Sequence, residues 1–264
     1  MASLKSSNIT LNTAPEGGRI SSLFVFGHEL LWQGDGEPLP TVKDKSRFYL
    51  SGGDRTWVSP ENEWVGKTPP LDLDSGLYSE QEIDGGIILK SPCCRETGLQ
   101  VIRTISLTPD DRVHLKEEIV NVSNKPTRRG VWNVSRVRRP FTVFCPGSSQ
   151  QWRSYHEKDP TLPVPSLKPI PLGGAAGIPC IHRACYKFGG VPDSGSCAVI
   201  TEHVVWERHF DIYPREAYAH GAAVEVFNSL LHDYGEVEVH SPLHVLLPGE
   251  RAALAQIWEF RRKV

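Results

Sequence analysis

No apolar run in this 264-residue chain approaches the roughly 20 residues that a membrane-crossing helix needs. The opening residues, Met1-Ala2-Ser3-Leu4-Lys5-Ser6-Ser7, also lack the apolar centre of a signal peptide. Neither sign of charge predominates: 29 Lys and Arg stand against 31 Asp and Glu, a formal net charge of −2. The basic clusters, Thr127-Arg128-Arg129 and Arg136-Val137-Arg138-Arg139, are short. They fit local ion pairs better than a nucleic-acid or anionic-membrane surface. Six cysteines are too few for a disulfide scaffold in a chain of this length, and the neighbours Cys93 and Cys94 are not expected to bridge. The expectation is a soluble, cytoplasmic protein with reduced thiols.

Several catalytic signatures are missing too. There is no H-E-x-x-H, no G-x-S-x-G, no Gly-rich phosphate loop and no kinase-like set. Metalloprotease, common serine hydrolase, NTPase and Rossmann oxidoreductase chemistry are therefore poorly supported. A paired-carboxylate glycosidase stays open, because its two acids need not be near in sequence.

Helical periodicity is also scarce, and Gly and Pro punctuate the whole chain. What recurs instead are short β-rich runs at Arg19–Phe26, Glu29–Trp32, Gly86–Lys90, Leu99–Leu107, Val113–Val122, Gly130–Val137, Ala198–Thr201, Ala223–Asn228, Glu236–His240 and Ala253–Phe260. Runs of this kind separated by turn signals predict an all-β sandwich or barrel. Residues 51–76 and the proline-rich residues 145–180 break the strand rhythm and read as long functional loops. Strand patterns of one type lie on both sides of each, so a single domain over 1–264 is expected.

The most informative run is Tyr234-Gly235-Glu236-Val237-Glu238-Val239-His240. On a strand, alternate residues share a face, so Glu236, Glu238 and His240 line up opposite Val237 and Val239. That row is either the wet outer face of a half-exposed strand or a source of general base, general acid or metal ligand.

A second candidate is Ser51-Gly52-Gly53-Asp54-Arg55-Thr56-Trp57 continuing to Glu61 and Trp64. Paired glycines allow close approach of a ligand to backbone. Arg55 offers a donor fork, Asp54 and Glu61 accept from hydroxyls, and Trp57 and Trp64 give flat apolar faces, a mixture that suits polyhydroxylated rings. The plain alternative is a loop that packs its tryptophans and pairs its charges. In Arg129–Arg136, alternation sets Trp132 and Arg136 on one face and Asn133 and Ser135 on the other. A core Trp beside a surface Arg is the simple explanation there. Cys180-Ile181-His182-Arg183-Ala184-Cys185 has no standard zinc spacing and no evident fourth ligand, so no metal and no cofactor is expected.

Taken together, three segments resemble the galactose mutarotase-like (aldose 1-epimerase-like) superfamily, an antiparallel β-supersandwich. Gly17-Gly18-Arg19-Ile20-Ser21-Ser22-Leu23 with Gly27-His28-Glu29-Leu30-Leu31 is similar to its opening strand pair. Ser51–Trp57 with Pro60-Glu61 is similar to its substrate-facing arginine loop. Tyr234–Val239 with Leu247-Pro248-Gly249-Glu250 and Gln256-Ile257-Trp258-Glu259-Phe260 is similar to its glutamate-bearing and terminal strands. The similarity spans nearly the whole chain and points to an uncharacterised branch rather than to a standard sugar mutarotase.

The resemblance implies a concave sheet face holding a polar small molecule. It also implies a glutamate that takes the anomeric proton and a histidine that protonates the ring oxygen. The glutamate maps onto Glu238, with Glu236 as the register alternative; His240 has no counterpart. The strand expected to bear the histidine, Gly130–Val137, has none and carries Asn133, Ser135 and Arg136 instead. Arginine is a poor general acid because it hardly deprotonates.

The expectation is thus an isomerase of epimerase or mutarotase type, or a related proton-transfer cyclase or lyase. Glu238, Glu236, Arg55 and His156 are the candidate catalytic residues, and Asp54, Trp57, Glu61, Trp64, Trp132, Asn133, Arg136 and His240 line the substrate. His156, in Gln150-Gln151-Trp152-Arg153-Ser154-Tyr155-His156, is the candidate replacement acid on a lid. The alternatives are a biosynthetic enzyme recruited to a non-sugar substrate and a non-catalytic carbohydrate-binding module. The partner is a small molecule, neither nucleic acid nor membrane, and the sequence leaves the oligomeric state open.

Overall fold

Leu99–Leu107 and Val113–Asn121 illustrate how this chain builds sheet. Every second residue of Leu99–Leu107 is buried and the residues between are half-exposed, as a strand with one core face requires. The two strands pair antiparallel along their whole length, from Leu99 opposite Asn121 to Leu107 opposite Val113. The computed structural model describes residues 1–38, 49–65, 68–146, 152–155, 170–172 and 175–263.

Two large antiparallel sheets dominate. The first runs in the order Ser3–Lys5, Ile9–Ala14, Arg19–Val25, Asp54–Ser59, Thr127–Arg138, Tyr234–His240, Val224–Asn228, Tyr186–Gly190, Arg153–Ser154. The second runs Ile170–Leu172, Ala175–Cys180, Phe141–Pro146, Ser196–Ile200, Val204–Phe210, Arg251–Arg262, Val113–Asn121, Leu99–Leu107, Gly86–Lys90, Ser79–Ile83. Leu11, Leu23, Val131, Val137, Val237 and Val239 from the first sheet and Val101, Ile105, Leu115, Val199 and Trp258 from the second belong to one buried core. This is the all-β sandwich that the sequence predicts. No helix among the described residues is long and apolar enough to cross a membrane.

The core has a polar centre. Arg103 and Glu117 sit at core positions of their strands, directly opposite each other in the register. Arg103 pairs with Asp54, and its Nε lies 3.4 Å from Glu117. Asn133 donates to Asp54 at 2.9 Å and to Glu117 at 3.0 Å, and Ser135 donates to Asp54 at 2.6 Å. Arg208 reaches in from Val204–Phe210 to Ser135, Asn133 and Gln256. Groups buried this deeply persist because each finds a partner.

The segment 51–76 departs from expectation at its start. Asp54–Ser59 is a fully buried central strand, not a loop. Its paired glycines serve backbone packing. Gly53 adopts φ +87, and a Cβ on Gly52 would collide with the backbone of Trp32 and Gln33. The loop proper begins at Pro60 and holds the short turns Glu61–Glu63 and Leu71–Asp74.

Candidate functional site

Antiparallel register sets the site. Thr127–Arg138 runs between Asp54–Ser59 and Tyr234–His240, placing Trp57 beside Trp132 and Trp132 beside His240. Glu238 lies opposite Val134 on one side and opposite Glu225 of Val224–Asn228 on the other. Val237 and Val239 point into the core between the sheets, so Glu236, Glu238 and His240 occupy the opposite face, as alternation requires. That face is not wet: all seven residues of Tyr234–His240 are buried.

Glu238 is fully buried, and its two oxygens differ sharply. Oε2 accepts from the indole N–H of Trp132 at 2.8 Å and from the ammonium of Lys187 at 3.0 Å. Oε1 has no hydrogen-bond partner among the described residues. The same ammonium lies 2.8 Å from Oε2 of Glu225, so one lysine bridges two carboxylates. Glu225 in turn is 3.0 Å from Nδ1 of His220 and 3.2 Å from Nε2 of His240. Trp132 stacks on His240 with ring centroids 5.1 Å apart, and Lys187 sits over the Trp132 ring at 4.9 Å. Trp57 and Trp64 complete an aromatic wall around Trp132 at 5.2 and 5.5 Å. Lys187 and His220 retain side-chain exposures of 19% and 17%, which marks the side of the cluster that opens to solvent.

The electrostatics divide the two acids. Burial pushes the Glu238 carboxyl well above the ordinary carboxylate range. Glu225 and Glu236 add to that rise, and Lys187 only partly opposes it. Burial also works against the charged form of Glu225, but Lys187, His240 and His220 outweigh it and hold that carboxyl well below its usual value. Two carboxylates bridged in this way titrate as a pair. A proton held by the pair is favoured on Glu238 over Glu225. Oε2 of Glu238 already accepts two donors, which leaves Oε1 as the oxygen open to a proton.

Lys187 is driven up by its two carboxylates despite burial and stays charged. Burial lowers His240, more than Glu225 raises it, so this imidazole is neutral. Glu225, being ionised, can only accept, so Nδ1 of His220 carries a hydrogen towards it. Nε2 of the same imidazole has no partner among the described residues.

The remaining candidates separate into three groups. Glu236 and Arg136 pair at 2.8 Å one step further along the same face, where Arg136 also donates to Ser51 O at 2.6 Å and lies over Tyr234. Arg55, opposite Val134, spends its Nη2 on the carbonyls of Ser51 and Gly52, and its Nη1 lies 3.7 Å from Asp74. Burial, with Arg136 and Arg19 nearby, lowers its pKa well below the usual guanidinium value. Asp54 and Asn133 face the other way, into the polar centre between the sheets. Glu61 is exposed on its turn. His156 lies outside the described residues.

The sequence does not single out Lys187, Glu225 or His220. The strand that lacks the expected histidine presents Trp132, and the imidazoles beside that ring come from His220 and His240. Ligand atoms of His220, Glu225 and His240 lie within 4.8 Å of one another, a span that one metal ion could bridge. The Lys187 ammonium already supplies the cation at Glu225, which argues against a second one. Cys180, His182 and Cys185 form no such group among the described residues.

No protein-family model matches the chain, and no curated protein matches it. Solved structures do. A galactose mutarotase-like protein from Lactobacillus casei superposes with a TM-score of 0.66 at 12% identity, covering 99% of this chain and 100% of the other. An aldose epimerase homologue from C. elegans gives 0.60 at 8% identity, covering 99% of each chain. A galactose mutarotase-like protein from Clostridium acetobutylicum gives 0.58 at 10%, covering 99% of this chain and 95% of its own. The fold is that of the galactose mutarotase-like proteins. At such identities the likeness extends to the fold and leaves activity to the site itself.

Proposed function

We propose that this chain is an acid–base isomerase of the mutarotase type, acting on a sugar or a similarly oxygenated ring. Glu238 is the acid and His220 the base. The observation that carries this reading is the buried Oε1 of Glu238, unpartnered among the described residues, in a cluster that also holds the Glu225-paired imidazole of His220, whose Nε2 is likewise unpartnered.

Opening a cyclic hemiacetal requires a base for the anomeric hydroxyl and an acid for the ring oxygen. His220 Nε2 takes the hydroxyl proton as the bond from the anomeric carbon to the ring oxygen breaks. Glu238 gives its Oε1 proton to that oxygen. Each resulting charge meets a prepared partner: the imidazolium faces Glu225, and the Glu238 carboxylate faces Lys187 and the Trp132 N–H. Rotation of the freed carbonyl and reversal of both transfers gives the other anomer. Trp64, the partly exposed member of the tryptophan cluster, offers an apolar face to the C–H side of the ring, with Trp57 and Trp132 packed behind it. Arg55 and Arg136 donate to the carbonyls of Gly52 and Ser51 and so fix the backbone at that end of the row.

The test pairs calorimetry with exchange NMR on the same sugar. Binding together with faster anomer interconversion supports the isomerase. Binding without any change in that rate would make the protein a carbohydrate-binding module instead.

A further inference from the structure

Cys145 and Cys197 stand face to face in the second sheet, away from the site on the first. The strands Phe141–Pro146 and Ser196–Ile200 pair antiparallel, with Val143 opposite Val199 and Phe144 opposite Ala198. The next step of that register sets Cys145 opposite Cys197. Alternation turns both side chains to the buried face, where the residues are 6% and 1% exposed. Both are free thiols. Directly opposed residues of an antiparallel pair have Cα atoms about 4.5 or 5.5 Å apart. Both separations fall inside the range of about 4.4–6.8 Å that a disulfide spans.

We propose that Cys145 and Cys197 are a modification site, closing to a reversible cross-strand disulfide when the protein meets hydrogen peroxide. Cys197 is the attacking sulfur. The adjoining Cys145 thiol and the guanidinium of Arg208, opposite Cys197 in the neighbouring strand, hold its thiol below the usual value against the effect of burial. Burial pushes Cys145 well up, which suits it to remain a thiol until the second step.

The Cys197 thiolate attacks one peroxide oxygen. The O–O bond breaks, and the departing hydroxide takes the proton that Cys197 released, giving water and a sulfenic acid. The Cys145 sulfur then attacks the Cys197 sulfur. The S–O bond breaks, and hydroxide leaves with the Cys145 proton as a second water. Two thiols and one peroxide thus become one disulfide and two waters. The bond closes a covalent loop that contains Lys187, so oxidation ties down the segment that carries the bridging ammonium of the site. A dithiothreitol wash restores both thiols by exchange.

The experiment treats the native full-length chain with hydrogen peroxide, blocks the remaining thiols with N-ethylmaleimide and maps peptides without reduction. The expected result is a Cys145–Cys197 cross-linked peptide 2 Da lighter than the sum of its reduced halves, abolished by dithiothreitol. In C145S, dimedone is expected to label Cys197, because its sulfenic acid has lost the resolving thiol. Maleimide on both Cys145 and Cys197 after peroxide treatment, or a disulfide that joins either one to another cysteine, overturns the proposal.

Discussion

The indole N–H of Trp132 donates to Oε2 of Glu238 across 2.8 Å. With Lys187 on the same oxygen, this bond leaves Oε1 as the oxygen without a donor among the described residues. Trp132→Phe keeps the aromatic wall but removes a donor that favours the charged carboxylate. Turnover of an identified substrate is expected to fall about tenfold, the worth of one hydrogen bond to a charged group. The limb of the pH–rate profile set by Glu238 is expected to move to higher pH. An unchanged profile would mean that the indole does not act on the carboxyl.

The raised Glu238 carboxyl also predicts how stability varies with pH. As pH climbs through the ordinary carboxylate range, near 4.5, the unfolded chain releases this proton while the folded chain keeps it. Above that point the group destabilises the fold by up to about 1.4 kcal/mol per pH unit, until the folded pKa is reached. Glu225 behaves oppositely: its stabilisation is present above the ordinary range and is lost as pH falls through its depressed folded value. Glu225 is common to wild type and Glu238→Gln, so its term largely cancels between them. The urea-midpoint advantage of Glu238→Gln should therefore grow from pH 4.5 upward. A difference that does not vary with pH would contradict the proton on Glu238.

Lys187→Met removes the ammonium that bridges Glu225 and Glu238. Breaking a buried ion pair by deleting one partner costs about 3–5 kcal/mol. A loss near the lower end is expected at pH 7, because burial favours the neutral form of Glu238. The penalty should shrink towards pH 4, where Glu225 in the variant can also take a proton. Urea melts at the two pH values measure this directly.

Asp54 tests which face carries the substrate. Its carboxylate pairs with Arg103 and accepts from Asn133 and Ser135 between the sheets. Asp54→Asn is expected to cost about 3 kcal/mol of stability, because it removes one of the two buried carboxylates that face Arg103, with little change in substrate affinity. A large rise in the dissociation constant at unchanged stability would return Asp54 to the binding face.

Much of this architecture is legible in the residues, and the parts that are not have physical reasons. Leu99–Leu107 and Gly86–Lys90 show their strand bounds directly, because one face alternates apolar side chains. Asp54–Ser59 reads as a loop because its sequence is polar, yet Arg103, Asn133 and Glu117 satisfy those groups inside the core. A hint exists in Val101-x-Arg103-x-Ile105 and Leu115-x-Glu117-x-Ile119, where opposite charges hold core positions in adjoining strands. Glu236, Glu238 and His240 share a face as alternation requires. Their partners Lys187, Glu225 and His220 come from separate stretches brought together by register, which no local pattern encodes. Glu225, set between Val224 and Val226, carries the one local signal: an acid flanked by core residues.

The most direct measurement is two-dimensional exchange NMR of a panel of aldoses with wild-type protein and with Glu238→Gln. Wild type is expected to accelerate interconversion of the α and β forms of at least one aldose. Glu238→Gln is expected to lower that rate by about 100-fold or more, the usual worth of a positioned acid or base, while still binding the sugar. Exchange by Glu238→Gln at the wild-type rate, or no acceleration by wild type of any aldose that it binds, would contradict proton transfer at Glu238.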